Sequence, residues 1–168
     1  MPKAIVLGAG MVGSVMAWDL ARDPAYRVTI ADVRETSLEA AAARAGGRLT
    51  TVRADLSDPA AVTRLVAPFD IVLGALSSRI GFGALRAVIE AGKNYCDISF
   101  MGEEFLDLDA LAKKRGVTAV LDCGIAPGMS HILSAHGAAQ FDTCDNIEIY
   151  VGGGMGCIGH RRGYAATC

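Results

Sequence analysis

Ala4-Ile5-Val6-Leu7-Gly8-Ala9-Gly10-Met11-Val12-Gly13 joins a short apolar run to a glycine turn and then to residues of helical period. Ala4 to Leu7 has the length and apolarity of a strand buried on both faces. Val12, Val15, Met16 and Leu20 recur at helical spacing over residues 11–22, and Pro24 stops that helix. Strand, Gly-x-Gly-x-x-Gly and helix in this order form the phosphate-binding opening of a doubly wound α/β sheet. Gly8 allows the tight turn out of the strand, Gly10 lets backbone approach a pyrophosphate, and Gly13 lets helix pack closely on sheet. Met11, Val12 and Gly13 open the helix, whose free N–H groups and partial positive charge suit an anion.

Outward from this turn, Val28 to Ala31 reads as a second strand, and Asp32 ends it nineteen residues past Gly13. An acidic residue there hydrogen-bonds the adenosine ribose diol. Its charge repels a 2′-phosphate, so NAD is expected over NADP, with Val33 and Arg34 beside it. Arg34 is the qualifying feature, since a nearby arginine accommodates that phosphate. Asp55 follows a third strand, Leu49 to Val52, at a place that reaches an adenine edge or is plain surface loop. Ala75 and Leu76 end a fourth strand, Asp70 to Ala75, near the switch point where ligands lie in such sheets.

The remaining elements keep the alternation. Residues 35–45 favour helix, and Ser57 or Asp58 caps a helix starting at Pro59. Residues 81–91 form a helix ending at Gly92, Tyr95 to Ile98 a fifth strand, and 103–115 a helix with acidic start and basic end. Val117 to Leu121 is the sixth strand. A helix opens at Pro127-Gly128, and Ile147 to Val151 is strand-like. The expected fold is an α/β, doubly wound parallel sheet of about six strands, a Rossmann arrangement, with a short glycine-rich C-terminal tail. Residues 1–142 are read as the dinucleotide-binding domain. Residues 143–168 are read as the start of a truncated second domain or a disordered tail.

Composition narrows the setting. The 168 residues are 52% hydrophobic and 20% charged with a net charge of −2, which gives no electrostatic case for nucleic acid or an anionic membrane. Five cysteines without CxxC spacing suggest a reduced, cytoplasmic setting. No run is long enough to cross a membrane, and the N-terminus lacks signal-peptide features. His131 and His136 are spaced i, i+5, off a shared helix face, and His160 sits in the tail beside Arg161 and Arg162, so no metal is expected. Ser99 and Ser130 lack a nucleophile elbow.

Three further segments carry a more specific resemblance: Ile71-Val72-Leu73-Gly74-Ala75-Leu76, Ala91-Gly92-Lys93-Asn94-Tyr95-Cys96-Asp97-Ile98-Ser99, and Asp122-Cys123-Gly124-Ile125-Ala126-Pro127-Gly128-Met129-Ser130. With the glycine turn, they resemble the saccharopine dehydrogenase/reductase family, in particular its lysine 6-dehydrogenase-like members, over residues 3–151. The resemblance implies an NAD(P)-dependent oxidoreductase acting at the carbon–nitrogen bond of a small amino-acid substrate, through an imine. It implies Tyr95 and Asp97 as catalytic candidates, and Cys123, Gly124 and Pro127 as lining of the cofactor pocket.

Members of that family continue into a sheet-rich second domain that carries much of the substrate pocket and the dimer contact. Residues 152–168 do not read as such a domain, so the chain is expected to be truncated, by a frameshift or otherwise, and homodimer formation is left open. The alternative expectation is a non-catalytic NAD-binding module, comparable to the regulatory nucleotide-binding domains of potassium transporters.

Overall fold

The computed structural model describes residues 1–152 and 163–167. The chain divides into two compact units, Met1–Cys123 and Gly124–Cys168.

The first unit is a six-stranded parallel sheet in the order β3-β2-β1-β4-β5-β6. Its strands are β1 (Lys3–Leu7), β2 (Arg27–Asp32), β3 (Leu49–Arg53), β4 (Ile71–Gly74), β5 (Asn94–Asp97) and β6 (Ala119–Val120). Helices α1 (Met11–Leu20), α2 (Glu35–Ala45), α3 (Pro59–Val66), α4 (Ser78–Glu90) and α5 (Asp109–Arg115) fill the crossovers. This order is that of a Rossmann sheet, with β1 and β4 flanking the switch point.

Strand β1 shows why the run Ala4–Leu7 is apolar throughout. It is paired on both sides, Leu7 opposite Ala31 of β2 and Gly74 of β4, and its residues 4–7 have no exposure. Alternate side chains enter different layers. Ile5 and Leu7 pack with Val62, Val66, Leu85 and Val88 from α3 and α4. Val6 packs with Ala17, Leu38 and Ala41 from α1 and α2. A strand covered by helices on both faces cannot alternate apolar with polar. Each fully buried large aliphatic side chain here contributes roughly 1.5–3 kcal/mol.

Local signals set the helix ends. Pro59 stands at the start of α3, and the Asp58 carboxylate caps it by accepting the Ala60 N–H at 2.9 Å. Ser57, the other cap candidate, instead donates its hydroxyl to Asp55 at 2.6 Å. Gly92 takes φ +70° just past α4, as a helix stop requires. The expected helix over 103–115 is in two parts. Glu104 caps a 3-10 turn at Phe105–Leu108, and α5 follows with Lys113, Lys114 and Arg115 in its last turn. Strand β6 is only two residues long.

The second unit holds α6 (Met129–Ala138) and an antiparallel ribbon of β7 (Glu148–Gly152) and β8 (Gly163–Thr167). Strand β8 falls within residues 143–168, read from the sequence as the start of a truncated second domain or a disordered tail. His160, Cys157 and Cys168 lie outside the described residues.

Candidate functional site

The glycine turn is built from contacts that exclude side chains. Gly8 has φ +102°, and a Cβ there would come within 2.5 Å of the Ala75 carbonyl oxygen. A Cβ on Gly13 would overlap the Gly8 carbonyl, so α1 reaches the sheet only because Gly13 has none. Gly10 differs: a Cβ there would meet nothing within 4 Å. Helix α1 starts at that point with no side-chain cap and no acidic residue in its first turn, leaving its first N–H groups to an outside acceptor. Met11 and Val12 are exposed at this helix start, and Gly13 is buried.

Asp32 is 7% exposed. Its Oδ2 accepts the Ala9 N–H at 2.8 Å, and its Oδ1 accepts the Arg34 N–H at 2.9 Å. The Arg34 Nε lies 3.4 Å from Oδ1, with the Arg34 side chain 64% exposed. The carboxylate thus ties the end of β2 to the glycine turn. Oδ2, which accepts only the Ala9 N–H, has a further lone pair to offer a hydroxyl.

An open cleft of about 510 Å³ runs over the C-terminal ends of β1, β2 and β4. It collects Gly8, Gly10, Asp32, Val33, Arg34, Asp55, Ala75 and Leu76, eight of the residues the sequence nominates. Leu56, Ser57, Ser77 and Ile80 also line it and were not foreseen. Ser57 had a legible signal, since Asx-type turns place a serine two residues past an aspartate. Its hydroxyl, then its N–H, hold the Asp55 carboxyl below the usual range. Ser77 and Ile80 come into the cleft through the start of α4, which no motif marks.

Tyr95 and Asp97 are brought together, but beneath the cleft wall. They share one face of β5 beside Gly74 of β4, where a Cβ would overlap both the Tyr95 hydroxyl and the Asp97 carboxylate. Tyr95 is 2% exposed and Asp97 fully buried. Burial, then the neighbouring Asp97 charge, push the Tyr95 phenol well above its ordinary value. Asp97 Oδ1 accepts the Ser99 N–H.

Cys123 follows β6, where Asp122 takes a left-handed φ of +57° and the Cys123 N–H bonds the Asp97 carbonyl at 3.0 Å. Its thiol neighbours Cys96, whose own thiol is pushed up to about 11 by burial and by hydrogen bonding to Cys123. Gly124 and Pro127 lie in the second unit, on the loop before α6, where the Gly124 carbonyl accepts the Met129 N–H at 2.9 Å. In the first turn of α6, His131 Nδ1 accepts the Gly128 N–H at 3.2 Å. Among the described residues no group of three or more His, Cys, Asp or Glu is placed to hold a metal ion. No described helix is long and apolar enough to cross a membrane.

A parallel sheet in this strand order, with a glycine turn and an acidic strand end around one cleft, defines a domain of the Rossmann dinucleotide-binding class. The family model for the saccharopine dehydrogenase NADP binding domain matches residues 4–120, and the chain belongs to that family. The saccharopine dehydrogenase [NADP(+), L-glutamate-forming] of Schizosaccharomyces pombe is 25% identical over 132 residues, covering 79% of this chain and 29% of that protein. The enzyme of the same name from Pyricularia oryzae is 27% identical, covering 77% and 28%. The apo saccharopine dehydrogenase (L-Glu forming) structure from Saccharomyces cerevisiae has the same fold, with a TM-score of 0.74 at 20% identity over 83% of this chain and 31% of that one. The chain therefore spans under a third of the length of these relatives.

Proposed function

We propose that this chain supplies the nicotinamide-dinucleotide site of an oxidoreductase acting on the carbon–nitrogen bond of an amino acid. The observation that carries the reading is the cleft itself, which gathers the glycine turn, Asp32 and the end of β4. The residues fit such a cofactor. Open space over Gly10 and the uncapped start of α1 suit a pyrophosphate. The free lone pair of Asp32 Oδ2 suits a ribose hydroxyl, and Ala75 and Leu76 would bound the path toward the nicotinamide.

When bound, the nicotinamide supplies the hydride chemistry; the chain's residues bind, orient and exclude water. The amino-acid substrate class is supported by family membership and by the names of the relatives. Cys123, Gly124 and Pro127 are kept as candidate lining on the nicotinamide side by the family resemblance alone.

Asp32 favours NAD over NADP, because its carboxylate would face a 2′-phosphate. The exposed Arg34 guanidinium is the competing feature, and the family model is described as NADP binding. Titrating the purified chain with NADH and with NADPH, following nicotinamide fluorescence, tests the reading. Tighter NADH supports the Asp32 assignment. Tighter NADPH gives the preference to Arg34. Saturable binding of neither overturns the cofactor site.

A second reading, binding without turnover, draws on the burial of Tyr95 and Asp97, since neither lines the cleft. Absorbance of the bound nicotinamide across a panel of amino acids separates the two, because a binding module does not consume its cofactor.

A further inference from the structure

We infer that Asp97 and Ser99 are positioning residues, which hold the β4 wall of the cleft in the shape that admits a dinucleotide. The inference rests on the cofactor reading above.

The wall is the segment Ala75-Leu76-Ser77, where the chain leaves β4 and turns into α4. The strand ladder serves its neighbours: the Ala75 N–H bonds the Leu7 carbonyl at 2.9 Å, and the Ile98 N–H bonds the Gly74 carbonyl at 3.2 Å. The Leu76 N–H lies just past the ladder. The site is part-buried, and an N–H shielded from water without a partner is costly. Ser99 provides the partner, its Oγ accepting the Leu76 N–H at 3.0 Å.

Ser99 also packs against the start of α4. A Cβ on Gly81 would stand 3.4 Å from the Ser99 Cβ, in ordinary van der Waals contact, so the serine lies directly against this turn of the helix. That helix start is fixed by the Ser77 carbonyl, which accepts the Ile80 and Gly81 N–H groups at 3.1 and 3.0 Å. Leu76, Ser77 and Ile80 all line the cleft. Ser99, itself 6% exposed, therefore sits behind both halves of the wall.

Asp97 holds Ser99 in turn. Its Oδ1 accepts the Ser99 N–H, fixing the turn that aims Oγ at Leu76. Its Oδ2 and the Tyr95 hydroxyl have no hydrogen-bond partner among the described residues, and both abut Gly74. A buried carboxylate is expensive to keep. Here it is retained at a place where it sets a backbone that faces the cleft.

The test uses the full chain with Ser99→Ala, Ser99→Thr and, as a control, Asn94→Ala. The control removes a bond at the opposite end of β5, where Asn94 Oδ1 accepts the Thr118 N–H at 2.9 Å. Dissociation constants for NADH and NADPH are read with thermal midpoints and amide hydrogen exchange over residues 75–80. In Ser99→Ala, exchange at Leu76 should rise and the dissociation constant of the preferred dinucleotide should increase about three- to tenfold, as for loss of one hydrogen bond. Ser99→Thr should restore both. Asn94→Ala should lower the midpoint without changing affinity.

Faster exchange with unchanged affinity, or equal weakening by Asn94→Ala at a matched loss of midpoint, overturns the positioning role. Unchanged exchange in Ser99→Ala overturns the bond. A wild-type chain that binds neither dinucleotide sinks the cofactor reading instead, and exchange alone then decides whether Ser99 holds the wall.

Discussion

The three glycines of the turn look alike in the sequence but face different constraints. Gly13 is sealed against the Gly8 carbonyl, while Gly10 faces open space. Gly13→Ala is therefore expected to cost at least about 2–3 kcal/mol, lowering the thermal midpoint by roughly 5–10 °C in a chain of this size. Gly10→Ala, which meets no overpacking but puts alanine at the N-cap of α1, should lower the midpoint by no more than about 2–4 °C and should weaken dinucleotide binding about tenfold. Calorimetry paired with fluorescence titration checks both; a Gly10→Ala chain that binds normally would remove the pyrophosphate from that spot. The spacing of the motif made all three residues visible. What no spacing shows is which of them serves packing and which serves a ligand. Tyr95 and Asp97 illustrate the same gap. Their motif was legible, but their burial depends on β4 placing Gly74 alongside them.

Among the elements, legibility followed local chemistry. Helix α3 was readable because its proline and cap act within four residues. Asp58→Ala should lower stability by about 1 kcal/mol and the midpoint by roughly 2–4 °C, seen in thermal denaturation; an unchanged midpoint would show the cap to be idle. The 103–115 segment was half legible, since charge at its ends reports the dipole but not the 3-10 turn that Glu104 initiates. Strand β8 was not legible at all. It is a pairing partner for β7, and neighbouring glycines erase the alternation that would have marked it. The cleft residues Ser77 and Ile80 were missed because topology, not motif, brings the start of α4 beside Asp32.

For the molecule as a whole, the titrating groups inside the sheet set its response to alkali. Tyr95 is buried in its neutral form, with its folded value raised well above 10.0. Cys96 moves from 9.0 to about 11. In each case the folded chain holds its proton to higher pH than the unfolded chain does. Stability from these groups is whole below pH 9, begins to fall between 9 and 10, and is lost as pH rises through the folded values. Urea midpoints measured from pH 7 to 11.5 should decline over that window, and Tyr95→Phe should flatten the decline above pH 10. A parallel decline in the variant would place the alkaline sensitivity elsewhere.

The central place of β1 has a consequence for how the chain is made. Vectorial synthesis delivers this strand before both its neighbours, and one of them, Ile71–Gly74, leaves the ribosome only after three helices and two strands have followed it. At about 5–20 residues per second, the apolar edge of Ala4–Leu7 waits on the order of several seconds for its second partner. Nascent-chain handling in that interval, by a chaperone or by early docking of α1 and β2, is thus a requirement that the strand order itself imposes.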